Sequence, residues 1–318
     1  MQTTNSILMI RPVAFRMNEQ TAVNNYYQKV LDGLSPETVN SKAQEEFDTF
    51  VNKLRLVGID VTVVDDTLEP STPDSIFPNN WISFHENGDV VLYPMFAENR
   101  RLERREDILD ILEAKGFEVN EEIMDYSSAE DDGFYLEGTG SIVLDRENGK
   151  AYCALSPRAD EELFIEFCED FDMSPIIFEA FQTVDLPDGK AGGERKLIYH
   201  SNVMMCIADT FAVICADCID DKKERKMVLD SLKADGKEII LITEDQMNNF
   251  AGNMLELVGS DERRYLIMSN SAHQSLTKKQ VAQLEEHITI LSSSLDIIEA
   301  CGGGSARCMM AEIFLPKN

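Results

Sequence analysis

The chain is short of positive charge. Lys and Arg total 29 among 318 residues, against 58 Asp and Glu, for a formal net charge of −29. Such a field repels phosphate backbones and anionic headgroups, so nucleic acids and membrane surfaces are poor partners. Histidine is scarcer still, at four residues, and a metal centre built on imidazoles has no basis. No apolar run approaches the roughly 18 residues of a membrane span, and Met1 to Asn5 carry neither a basic region nor a long apolar stretch, so no signal peptide is expected. The glycine loops that grip phosphate are missing too. Neither Gly-x-x-x-x-Gly-Lys nor Gly-x-Gly-x-x-Gly occurs, which argues against a nucleotide enzyme.

What is present is a globular chain. Hydrophobic residues make up 43% of it, enough for a large core rather than disorder. The seven cysteines are odd in number and scattered, which fits a reducing cytoplasm better than a disulfide framework. Cys215 and Cys218 have the spacing of a redox or zinc half-site. No second pair stands at that spacing, and the segment ends an apolar strand, so the pair reads as structural filler.

A unit recurs along the chain. Hairpins are expected at Asn80–Pro94, Gly140–Ser156, Asn202–Ala216 and Asn253–Ser269, the first two turning on Glu-Asn-Gly. Amphipathic helices follow at Ala97–Lys115, Ala159–Asp170, Asp221–Asp235 and Ser275–Ile290. Short apolar segments come next, at Phe117–Val119, Ile176–Glu179, Glu238–Ile242 and Leu295–Glu299. A period of this length points to a repeat architecture. The fifth unit is split between the ends: Ala306–Leu315 as one strand, Ser6–Arg11 as its partner, a helix over Thr21–Leu56 broken near Pro36, and the strand Ile59–Val64. The expectation is an α/β fold in a single domain, residues 1–318, of five ββαβ units about a pseudo-fivefold axis, a five-bladed α/β propeller. Closing a ring in this way removes exposed sheet edges. An ordinary open α/β sheet is the rival arrangement.

Each unit opens on a polar cluster: Phe77–Trp81, Leu136–Ser141, His200–Asn202, Asn248–Asn253 and Gly303–Cys308. Equivalent places in five units put Cys308, His200 and Glu137 in one central cavity. The chemistry is coherent there. A thiolate is a strong nucleophile, an imidazole moves protons near neutral pH, and a carboxylate orients the imidazole or a cationic substrate group. Three glycines, Gly302 to Gly304, bring backbone close to the reacting centre. Of the other histidines, His85 falls in a hairpin turn facing solvent, His273 near a helix start and His287 within a helix.

At these residues the chain resembles the amidinotransferase and arginine deiminase superfamily, the pentein enzymes. The likeness runs nearly the full length and rests on Phe-Pro-Asn-Asn-Trp (77–81), Phe-Tyr-Leu-Glu-Gly-Thr-Gly-Ser (134–141), Tyr-His-Ser-Asn-Val-Met-Met (199–205) and Gly-Gly-Gly-Ser-Ala-Arg-Cys-Met (302–309). The branch it is most similar to is the bacterial amidinotransferase-like group, some members of which are linked to citrulline hydrolysis. The resemblance implies a five-bladed fold, a covalent intermediate on Cys308, His200 as general acid and base, and Glu137 as the site acid. No metal or organic cofactor is implied.

Two departures bear on the substrate. Asn79 and Asn80 stand where arginine deiminases carry an Asp, and His200-Ser201-Asn202 replaces a His-x-Asp motif. Both remove negative charge, and an amide suits a neutral ureido group better than a guanidinium. The expected reaction is therefore C–N hydrolysis of a ureido or guanidino group on a small amino acid, with citrulline to ornithine favoured. Asp74 is a carboxylate that would weaken this argument. Arginine deimination, amidino transfer, or an inactive chain that only binds an amino acid are the alternatives. Gly303, Ser305, Asn79, Asn80 and Asn202 are candidate substrate contacts, and Arg100 and Arg158 are candidates for the substrate carboxylate, which a guanidinium matches in bidentate geometry. Asp185–Glu194 reads as a lid. The partner is thus a small amino acid, and a homo-oligomer is left open.

Overall fold

The computed structural model describes residues 1–31, 33–120, 123–184 and 193–317. Five three-stranded sheets share one topology, in which the middle strand is antiparallel to the strand on one side and parallel to that on the other. Ile82–Phe84, Val90–Leu92 and Met124–Asp125 form one such sheet. The next are Ile142–Asp145, Lys150–Ala154 and Ser174–Phe178, then Met205–Ile207, Phe211–Ile214 and Glu238–Leu241. Leu255–Val258, Arg264–Ser269 and Thr289–Ser293 make the fourth. The fifth joins the two ends of the chain: Ala311–Glu312 against Ser6–Arg11, with Asp60–Asp65 beside it.

The parallel pairing in each sheet requires a crossover, and a helix supplies it. These crossovers contain Pro36–Leu56, Asp107–Ala114, Glu161–Asp170, Lys222–Ala234 and Lys278–His287. Their starts are written in the sequence. Ser35, Asp160, Asp221 and Thr277 each accept from backbone N–H groups of the first turn, and Thr277 with Gln280 completes a capping box. In the longest helix Val39, Ala43, Phe47, Phe50, Val51 and Leu54 recur every three or four residues and are buried.

Several elements differ from expectation. The long helix begins at Pro36, which fits the first helical position, and residues 21–34 are turns and coil where described. The helix expected over Ala97–Lys115 is two, Glu98–Arg101 and Asp107–Ala114. Phe117 makes only an isolated bridge to Lys317, and the third strand of that sheet is Met124–Asp125. Leu295–Glu299 lies mostly in a helix, Asp296–Gly302, because Thr289–Ser293 has already taken the parallel position. The Ala306–Leu315 strand opens with a helical turn, Ala306–Met309, and pairs only at Ala311–Glu312.

A two-stranded ribbon, Phe181–Val184 with Glu194–Leu197, was not foreseen. It flanks the expected Asp185–Glu194 lid, of which residues 185–192 lie outside the described residues. The sheets do not join into one closed sheet among the described residues; each keeps its own edges.

Candidate active site

The polar clusters fold as short turns ahead of the strands they precede. Pro78–Asn80, Gly138–Ser141, Ser201–Met204 and Ala306–Met309 are single helical turns, and the fourth cluster is a turn in which Asn253 N donates to Phe250 O. Buried hydrogen bonds tie them in series. Arg307 N donates to Asn253 Oδ1 at 3.0 Å, and Asn253 Nδ2 to Asn202 O at 2.9 Å. Asn202 Nδ2 donates to Thr139 O at 3.1 Å, and Asn79 Nδ2 to Thr139 Oγ1 at 3.2 Å.

A small, tight cavity opens beside this series, its wall including Asp74, Asn80, Arg100, Arg158, His200 and Cys308. His200 Nε2 and Glu137 Oε2 are 2.7 Å apart, both fully buried. Burial by itself would push the Glu137 carboxyl up, but Arg158, His200 and Arg100 overcome it and hold the group at about 2. Burial lowers His200 to about 4, against the pull of Glu137. At neutral pH the pair is carboxylate and neutral imidazole. The proton then sits on Nε2, which faces the carboxylate, and Nδ1 keeps a free lone pair, having no partner among the described residues.

Cys308 Sγ accepts from Asn253 Nδ2 at 3.2 Å, and Asn202 Nδ2 lies at 3.7 Å. Burial raises its thiol even so. The glycines have two tasks. Gly303, at φ 63°, ends the Asp296–Gly302 helix in the left-handed region. Gly302 and Gly304 lie flat on Phe77, where an added Cβ would come within 2.7 and 2.9 Å of its ring.

The structure brings most, not all, of the expected residues to the cavity. Asn80 lines it, with Oδ1 held by Arg100 Nη1 at 2.8 Å and a buried Nδ2 that has no partner. Asn79 turns its Nδ2 to Thr139 and leaves Oδ1 unpartnered. Arg100 and Arg158 line the cavity, but their donors are engaged. Arg100 grips Glu103 through Nε and Nη2, and Arg158 bonds Asn24 Oδ1, Thr21 O and, at 3.5 Å, Glu137 Oε2. Ser305 points away: its hydroxyl donates to Glu299 Oε1 at 2.5 Å. Asn202 serves the series of turns and the sulfur rather than the cavity wall. Arg307, beside the nucleophile, pairs with Glu312 at 2.7 Å.

Outside the site, His85 is buried, stacked on Phe171 at 4.1 Å and bonded to Ser83, because its turn packs under a neighbouring helix rather than facing water. His287 pairs with Glu238 at 2.9 Å. Two contributors were not singled out from sequence. Asn253 occupies in its cluster the place that Asn202 holds in the preceding one, and that equivalence was the available signal. Asp74 enters the sequence argument only as a counterweight to a neutral substrate. It is buried, with Oδ2 accepting from Asn18 and Thr21 and Oδ1 bare of any partner. Burial raises its carboxyl, opposed first by Arg100.

A thiol, a carboxylate-held imidazole and a further buried carboxylate thus share one small site. A model of the family described as "N,N dimethylarginine dimethylhydrolase, eukaryotic" matches residues 11–315, and the chain belongs to that family. Its family relatives are C–N hydrolases of the amidinotransferase superfamily. Among solved structures, apo ArgZ, an arginine dihydrolase from the ornithine–ammonia cycle in cyanobacteria, is 16% identical with a TM-score of 0.72. That match covers 98% of this chain and 41% of ArgZ, so the chain spans about two fifths of that protein. The product-bound N-terminal domain of ArgZ matches over 98% of this chain and 99% of its own, at 16% identity and a TM-score of 0.69. A dimethylarginine dimethylaminohydrolase variant in adduct with S-methyl-L-thiocitrulline gives 13% identity, a TM-score of 0.63, and coverage of 98% and 100%. These identities speak to the fold. No curated protein sequence matches.

Proposed function

We propose that this chain is a cysteine-dependent hydrolase that cleaves a C–N bond in the guanidino group of a small amino acid. It acts as one catalytic domain whose five units surround a pseudo-fivefold axis. The shared sheet topology and the bonded series of turns support that arrangement. The observation that carries the activity is Asp74: a buried carboxylate oxygen without a partner, on the same cavity as Cys308 and His200. Such an oxygen calls for a cation, and an arginine-like molecule brings one at either end. The argument for a neutral substrate from Asn79 and Asn202 loses force accordingly.

In this reading the positive guanidinium stabilises the Cys308 thiolate beside it, offsetting the burial that raises the free thiol. Sulfur attacks the central carbon. Nδ1 of His200, having taken the Cys308 thiol proton as sulfur attacks, passes it to the departing amine as the C–N bond breaks, leaving a thiouronium on Cys308. Nδ1 of His200 then takes a proton from water, whose oxygen attacks the same carbon. Collapse expels the thiolate and frees the ureido product. Glu137 keeps the imidazole in the tautomer that both steps need. Arg100 and Arg158 are the guanidinium groups on the cavity wall and the candidates for the substrate carboxylate. The free thiols Cys153, Cys168, Cys206, Cys215, Cys218, Cys301 and Cys308 support a reducing cytoplasm, and among the described residues no helix is long and apolar enough to cross a membrane.

A second reading, citrulline to ornithine, is favoured by Asn80 Nδ2, a buried and unpartnered amide donor on the cavity wall that suits the oxygen of a ureido group. Sulfur would then expel the ornithine amine, and the thiocarbamate would hydrolyse to carbamate. Incubation with arginine, its N-methylated forms, agmatine and citrulline, with ammonia, methylamines, citrulline and ornithine quantified, separates the two. Turnover of a guanidino substrate, absent in Cys308→Ala, is expected. Consumption of citrulline alone replaces the first reading with the second, and consumption of none, with no adduct on Cys308, removes both.

A further inference from the structure

Cys215 and Cys218 lie outside the catalytic cavity, and their spacing alone marks them as no more than filler. The structure sets their sulfurs 2.9 Å apart. A tight turn holds them there: Ala216–Cys218 is a single helical turn, and Cys218 N donates to Cys215 O at 3.2 Å. A turn closed in this way keeps its end Cα atoms within about 7 Å, which overlaps the range that a disulfide spans. Among the described residues no group of three or more His, Cys, Asp or Glu converges, so zinc has no ligand set here. Two sulfurs in contact suit dithiol–disulfide chemistry.

The pair lies just beneath the surface. Both thiols are buried, yet Asp217 between them is 84% exposed and bonded only to Arg225. The two sulfurs also differ. A hydrogen bond from Cys218 draws the Cys215 thiol down, and the same bond, then burial, pushes Cys218 up. That asymmetry suits an attacking thiolate with a resolving neighbour. Cys218 Sγ further contacts Met247 Sδ at 3.5 Å.

We propose that Cys215 and Cys218 are a peroxide-oxidisable dithiol that closes reversibly to a disulfide. The Cys215 thiolate attacks one oxygen of hydrogen peroxide; the O–O bond breaks, a sulfenic acid forms, and the departing hydroxide takes up a proton as water. Cys218 sulfur then attacks Cys215 sulfur. The S–S bond forms, the S–O bond breaks, and a second water leaves with the Cys218 proton. In sum, two thiols lose two electrons and two protons while one peroxide becomes two waters, and an added dithiol reverses the change. The pair shares its core cluster with Tyr27, whose ring meets that of Tyr199, which in turn bonds Gly303 O. Tyr199 lines the catalytic cavity, so the pair and that wall belong to one core cluster.

The test uses the reduced full chain, graded hydrogen peroxide, alkylation and peptide mapping. The tryptic peptide 197–222 carries Cys206 as well as the pair, an internal control. The expected product is this peptide lighter by two hydrogens, alkylated at Cys206 alone and restored by dithiothreitol. Cys218→Ser should instead accumulate a sulfenic acid on Cys215, trapped by dimedone. If Cys215 and Cys218 both remain open to alkylation at doses that oxidise Cys206, the proposal fails. It fails equally if Cys218→Ser is labelled at neither oxidation level while the wild-type peptide is unchanged.

Discussion

His200 donates through Nε2 to Glu137 Oε2 at 2.7 Å, an interaction sealed from water and braced by Arg158 behind the carboxylate. It fixes which imidazole nitrogen is free to act, and it makes the site sensitive to acid.

The folded chain should lose stability on acidification in two overlapping stages. His200 titrates at about 4 when folded, below its ordinary 6.5. Between those values the unfolded chain binds more protons, so stability falls as pH drops through that window. Glu137, held at about 2 rather than 4.5, continues the loss below pH 4.5. Thermal midpoints followed by circular dichroism from pH 8 to 3 should decline below about 6.5; His200→Asn should shrink the upper stage, and His85, also lowered by burial, accounts for the rest of it.

Cys308→Ala should keep the wild-type fold and thermal midpoint within a few degrees while turnover drops by more than about 10³-fold. Ammonia release and a near-ultraviolet spectrum together check it. Retained turnover would remove the sulfur from the mechanism.

Gly140 has no room for a side chain. A Cβ there would lie 2.3 Å from Asn80 Nδ2 and 2.8 Å from His200 Nδ1. Gly140→Ala should displace both and cost about 1–3 kcal/mol of stability. Its kcat should fall more than a buried alanine elsewhere would explain. Chemical denaturation beside steady-state kinetics separates the two effects.

Asp74→Asn should raise KM for a cationic guanidino substrate by roughly 10- to 100-fold, the scale of a charged hydrogen bond, and leave citrulline nearly untouched. Equal losses for both would mean that Asp74 only holds Asn18 and Thr21 in place.

Ser305→Ala strips a donor from the buried Glu299 carboxylate, which burial already raises. A cost of about 1–3 kcal/mol is expected, with kcat reduced and KM little changed, because the loop carrying Cys308 loosens while the substrate contacts stay.

That Cys308 and His200 share a cavity, with Glu137 bonded to His200 behind its wall rather than on it, was legible because each belongs to a cluster that opens a repeated unit. The helix starts were legible for a local reason: Ser35, Asp160, Asp221 and Thr277 cap the turn that follows each. Of the four short apolar runs, Ile176–Glu179 and Glu238–Ile242 fall in parallel strands as expected, and the other two do not. Phe117–Val119 and Leu295–Glu299 have no period that distinguishes a strand from a buried turn, and a neighbouring strand decided each case. The engagement of Arg100 with Glu103 and Asn80, and the bare oxygen of Asp74, depend on side chains meeting across folded elements. No spacing announces them.

The sheet behind the nucleophile has a kinetic consequence. Ala311–Glu312 completes it only by docking on Ser6–Arg11, and Thr4 Oγ1 reaches Ile313 O across 309 residues. Closing a loop of that length comes at an entropic cost that no local contact offsets, so such pairings form late. During refolding, the other four sheets can assemble from contiguous chain. Near-native secondary structure should therefore return before any reactivity at Cys308, leaving an interval in which the molecule is nearly folded and still inert.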